Sequence, residues 1–150
     1  MLDAVDLAPG DRVLLLSPPA PAALERVSAR IAYGVAVVIT DRDRAAELRK
    51  SALHLENVMF VPATLDEIPW QDGYFNWILD DSAGWPPDPL VHRELLRALA
   101  PGGRLSTRNS DVTPLIAAGC EPLDSPPGCR QFRKPLPPPQ PLRVLSPESL

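Results

Sequence analysis

The chain has little of what usually marks a metal or redox centre. It holds two cysteines, Cys120 and Cys129, and two histidines, His54 and His92, in 150 residues. Neither histidine has a neighbour at ligand spacing, so no metal set is expected. Two cysteines do not make a disulfide framework in a chain of this size. They lie nine residues apart around a Ser-Pro-Pro-Gly turn, so they could face each other across a hairpin. Two reduced thiols are the simpler reading. A basic surplus is missing too. The 15 Lys and Arg residues are nearly all Arg, they are scattered, and the net charge is −4. That excludes the positive face which nucleic-acid binding requires. No apolar run approaches the roughly 20 residues that span a bilayer, and Met1 to Asp6 lacks the basic start of a secretory signal. The expectation is a cytoplasmic protein with no nucleic-acid and no membrane partner.

An apolar share of 45% and a charged share of 23% are those of one soluble globular domain. Proline is the surplus, at 20 residues. Six of these fall in residues 135–147, which reads as an extended polyproline-II-like tail. The division is thus a globular domain over 1–134 and a proline-rich tail over 135–150.

Periodicity alternates strands and helices. Strands are expected at Val13–Leu16, Val35–Ile39, Val58–Val61, Phe75–Leu79 and Gly103–Thr107. Helices are expected at Pro21–Ile31, 43–53, Leu90–Leu99 and Val112–Ala118. Pro122–Leu123 and Arg130–Arg133 are expected to pair as a closing hairpin. Continuously apolar strands separated by helices make a mostly parallel sheet covered on both faces. The fold class is α/β, a Rossmann-like doubly wound sheet with a C-terminal antiparallel hairpin.

The order of the fragments then points to a family. Leu7-Ala-Pro-Gly-Asp-Arg-Val-Leu, Asn57-Val-Met-Phe-Val, Leu65-Asp-Glu-Ile-Pro-Trp and Asp72-Gly-Tyr-Phe-Asn resemble successive segments of the class I S-adenosylmethionine-dependent methyltransferases. Arg93-Glu-Leu-Leu-Arg-Ala-Leu-Ala-Pro-Gly-Gly-Arg-Leu resembles their helix, Pro-Gly-Gly turn and fifth strand. Gly119-Cys-Glu and Gly128-Cys-Arg-Gln-Phe-Arg-Lys-Pro are similar to their closing elements. The likeness runs from about Leu7 to Pro135, and the Pro-Gly-Gly block is its most specific part.

The resemblance implies a cofactor crevice at the carboxyl ends of the strands, and there the residues depart from the family. Its Gly-x-Gly loop corresponds to Ser17-Pro18-Pro19-Ala20-Pro21. Proline fixes φ and removes the N–H, so this loop is expected to lack donors and to obstruct the ligand. The acid that holds the ribose falls at Thr40, or at Asp41 one residue on. The acid that reads adenine falls at Thr64, and the aspartate at the start of the fourth strand is Asn76. Ser17, Asp41 and Thr64 are thus the cofactor-binding positions that the resemblance implies. Asp80 and Asp81 follow the fourth strand. Adjacent carboxylates point apart there, so one caps a turn while the other faces the crevice. His92 near a helix start is a candidate general base, and Trp85 either lines a pocket or packs a loop.

Two functional readings result. In the first, the chain is a methyltransferase-like, non-catalytic binding or interaction module with a degenerate site. It then has no cofactor, and a protein partner or a second copy as its associate. The alternative is an active methyltransferase of a small molecule, using S-adenosylmethionine through an atypical proline-containing loop.

Overall fold

A computed structural model describes residues 5–80, 88–108, 112–125 and 128–136. Asp81, Trp85 and the tail beyond Leu136 lie outside the described residues.

The first strand, β1 (Arg12–Leu15), alternates its side chains between two cores. Leu14 faces one, together with Val37, Ile78 and Leu105. Val13 and Leu15 face the other, with Val38, Trp77 and Leu79. An apolar residue at each position from Val13 to Leu15 is what a strand buried on both faces requires. The remaining strands are β2 (Val35–Thr40), β3 (Val58–Pro62), β4 (Phe75–Asp80), β5 (Leu99–Thr107), β6 (Glu121–Leu123) and β7 (Arg130–Arg133). They form a seven-stranded sheet in the order β3-β2-β1-β4-β5-β7-β6. The pairings from β3 to β5 are parallel, and β7 runs antiparallel to both β5 and β6. The expected α/β sheet with its closing hairpin is therefore the observed one.

Helices α1 (Pro21–Arg30) and α2 (Arg42–Ser51) cover the Val13 face through Leu24, Val27 and Ala45. Helix α3 (Pro89–Ala98) and the short α4 (Thr113–Ala117) cover the Leu14 face through Val91, Leu95 and Leu115. Helix α2 starts one residue before its expected first residue because Asp41 caps it, its carboxylate accepting from Arg44 N at 2.8 Å. Strand β5 begins at Leu99, four residues earlier than expected. Its register against β4 jumps between the pairs Phe75–Leu99 and Trp77–Arg104. The Pro-Gly-Gly turn takes up that jump. Gly102 has φ +75°, and a Cβ on Gly103 would lie 2.7 Å from Ala100 O, so neither position tolerates a side chain.

The hairpin does not bring the cysteines together. Its register pairs Glu121 with Arg133 and Leu123 with Gln131, which sets Cys120 opposite Lys134. Both cysteines are free and buried. Burial pushes the Cys120 thiol up and the Lys134 amine down from their ordinary values. Lys134 Nζ donates to Leu96 O at 2.6 Å and Leu99 O at 2.8 Å, closing carbonyls that the end of α3 leaves open.

One polar cluster ties α3 to the segment that leads into β4. Arg97 forks onto both oxygens of Glu94 at 2.9 and 2.8 Å. It also donates to Ile68 O, Trp70 O and Asp72 Oδ1 at 2.7–2.8 Å. Glu94 Oε2 accepts from Ile68 N at 3.0 Å. The Arg97 hydrogen bond holds the Glu94 carboxyl below its ordinary value.

Candidate functional site

Strand β1 sits beside β4, while β2 and β3 extend the other way. In open parallel sheets the carboxyl ends around such a reversal form the ligand crevice. A groove of about 430 Å³ occupies it, within the size range of small-molecule pockets. Leu16 and Ile39, at the ends of neighbouring strands, form its floor. The segment after β3 forms one wall with Ala63, Thr64 and Leu65. The start of α3 adds Val91.

That wall is held at both ends. Ala63 N donates to Thr40 O at 3.3 Å, and Glu67 N closes a turn onto Thr64 O at 3.3 Å. Ile68 is then gripped by Glu94 and Arg97. The polar cluster behind α3 thereby fixes the groove from outside it.

The rim is acidic. Asp41, Asp66 and Asp88 all line the groove, and no Lys, Arg or His lines it among the described residues. Asp41 and Asp88 are the N-caps of α2 and α3, with Asp88 Oδ1 accepting from Leu90 N at 2.9 Å. Each cap uses one carboxylate oxygen on its helix.

Of the three cofactor positions that the resemblance implied, Asp41 and Thr64 line the groove and Ser17 does not. The proline loop does not line it either. Pro18, Pro19 and Pro21 line a separate cleft of about 150 Å³ between α1 and α2, against Leu24, Leu48 and Phe60. Three of the five loop residues are prolines and offer no N–H. Helix α1 has Ala20 at its N-cap position and so no side-chain cap.

The other candidates are placed elsewhere. Asp80 is fully buried at the end of β4 and accepts from Thr107 Oγ1 at 3.0 Å. His92 donates from Nδ1 to Asp88 O at 3.0 Å, one helical turn back. Neither is among the groove-lining residues. Asn76 lies at the opposite end of the sheet, where its Oδ1 accepts from Arg12 N at 2.9 Å. It is therefore no part of the crevice. Sequence reading overlooked Asp66 and Asp88. Asp88-Pro89 carries a cap-then-proline signature that marks a helix start; nothing local marks Asp66.

No protein-family model matches the sequence, and no match to a curated protein was found. Solved structures do match. A SAM-dependent methyltransferase from Aquifex aeolicus superposes with a TM-score of 0.66 at 18% identity, over 85% of this chain and 83% of that one. The cyclase SpnF gives 0.70 at 18% identity, over 90% and 78%. A chain from the complex of the Haloferax volcanii Trm112 methyltransferase activator gives 0.66 at 15%, over 82% and 67%. The fold is that of the S-adenosylmethionine-dependent methyltransferases. Identities this low speak for the fold alone.

Proposed function

We propose that the groove holds a nucleoside ligand of the S-adenosylmethionine class, and that the chain works as a binding module rather than as an efficient methyltransferase. The observation that carries this reading is the split character of the site. The nucleoside half of the ligand fits. Asp41 stands at the end of β2 with one oxygen left for a ribose hydroxyl, and Leu16, Ile39 and Leu65 offer apolar surface to a base. The amino-acid half does not fit. Three of the five residues from Ser17 to Pro21 have no N–H, and none of the five lines the groove. S-Adenosylmethionine supplies an electrophilic methyl group where it is bound. Among the described residues no charged lining group is placed to anchor its carboxylate, so no transfer step is derived.

A missing charge-assisted hydrogen bond costs about 1.5–3 kcal/mol, which weakens binding by roughly ten- to a hundredfold. Two neighbours are compatible with a role other than methyl transfer by a lone chain. SpnF is a cyclase on this fold, and another neighbour belongs to an activator complex. A protein partner or a second copy of this chain is the associate we assign to such a module.

Calorimetric titration of the full chain with S-adenosylmethionine tests the reading. The expected dissociation constant lies at ~10–1000 μM, with no methyl transfer to added small nucleophiles. Low-micromolar binding would restore the enzyme as the better account. No binding at millimolar ligand would remove the nucleoside site itself.

A further inference from the structure

We propose that a second pocket, at the amino ends of the strands, binds a small zwitterion: a molecule such as a free amino acid, with one carboxylate and one ammonium group. The pocket is separate from the nucleoside groove and does not depend on that reading.

It measures about 300 Å³ and opens between the segment before β1, the start of β4 and the Pro-Gly-Gly turn. Strands β4 and β5 supply Asn76, Trp77 and Arg104, and the segment before β1 supplies Asp6 and Asp11. The sheet register sets Arg104 beside Trp77, and the guanidinium lies over the indole at 5.4 Å from the ring centroid. Stacking holds the group in place while its in-plane N–H groups stay available as donors. Among the described residues none of them meets an acceptor. Asn76 adds a second donor. A backbone N–H can only donate, so Arg12 N at 2.9 Å fixes the side-chain oxygen of Asn76 and leaves its Nδ2 for the pocket. An aspartate at this position would present another acceptor instead, and would repel an anion.

The other charge is met by the carboxylates. Asp11 Oδ2 accepts from Ala8 N at 2.8 Å, which leaves Oδ1 for a ligand. Asp6 has no partner among the described residues. Although Arg104 and the two aspartates line one pocket, no ion pair joins them among the described residues. A ligand with a carboxylate alone would meet Arg104 and Asn76 but also two like charges. A ligand with an ammonium group alone would meet the reverse. Only a zwitterion finds a partner for each of its charges.

Three probes separate those charges. L-Glutamine carries both, N-acetyl-L-glutamine lacks the ammonium group, and L-glutaminamide lacks the carboxylate. In ligand-observed NMR titrations of the full chain, glutamine is expected to bind about tenfold or more tightly than either derivative, as for one charge-assisted hydrogen bond. Asn76→Asp keeps the acceptor for Arg12 N, so urea melts should be unchanged while glutamine binding falls about tenfold. Arg104→Gln should weaken glutamine similarly and leave L-glutaminamide unaffected, which a merely structural role would not produce. Asp41→Asn, in the nucleoside groove, should leave glutamine binding as it is. Equal binding of the three probes, or undiminished glutamine binding in both pocket variants, overturns the site. So does an absence of glutamine binding at tens of millimolar. A loss in Asp41→Asn as large as in Arg104→Gln would move the binding to the groove and equally overturn this pocket.

Discussion

Arg97 and Asp41 sit at opposite ends of the same sheet and meet opposite circumstances. At the amino ends of the strands, Arg97 spends every arm of its guanidinium on Glu94, Asp72 and the carbonyls of Ile68 and Trp70. At the carboxyl ends, three carboxylates surround a groove with no cation lining it among the described residues. Satisfied polar groups hold parts together, while partly satisfied ones beside a cavity are available to a ligand. The first edge explains why the second has a shape, since the Arg97 cluster anchors the wall that carries Thr64, Leu65 and Asp66.

Arg97→Met should have the largest effect. It leaves Glu94 charged and nearly buried, and is expected to cost about 3–5 kcal/mol of unfolding free energy, read from urea melts. A loss below 1 kcal/mol would erase the contrast between the two edges. The pH dependence has the same origin. The folded-state value of Glu94 is depressed. Its stabilisation is therefore fully present above the ordinary glutamate value of about 4.3, and is lost as pH falls through the lower folded value. Acid titration of the variant should show a flatter decline than that of the parent chain.

Lys134→Met removes the donors at the end of α3 and should cost about 1–2 kcal/mol, with ligand binding unchanged. Asp41→Asn sharpens the comparison from the other side. Asparagine caps helices as well as aspartate, so stability should shift by less than ~0.5 kcal/mol. Calorimetry should show weaker binding of S-adenosylmethionine. A large stability loss would show that Asp41 belongs to the scaffold and not to the site.

The outer edges of the sheet give the smallest expected effect. In β3, Val58 N is held by Leu55 O, Phe60 O by the Arg49 guanidinium at 2.7 and 3.2 Å, and Pro62 has no donor. The short β6 carries Pro122. Such devices discourage strand addition, so an associate of this chain should dock elsewhere than on these edges. Arg49→Ala should raise self-association in analytical ultracentrifugation while changing stability by under ~1 kcal/mol.

Much of the fold was legible because its signals are local. The run Val13 to Leu16 announces a strand buried on both faces, and the Pro-Gly-Gly turn announces a tight reversal before β5. Ser17 to Pro21 announces a loop without N–H groups. Those properties belong to the residues themselves: φ restriction, missing donors, period and burial. The direction of that loop was not legible. It depends on how α1 and α2 pack, and packing set the prolines against the cleft between those helices. Likewise Asp41, Asp66 and Asp88 are scattered along the sequence, and only Asp41 stood out there as a site candidate. Only the strand order, which sets β1 beside β4 and brings the start of α3 over the ends of β1 and β2, gathers them around one cavity. The sequence determined which groups this edge would lack; the tertiary structure decided which charges would meet there, because distance through space is not encoded in distance along the chain.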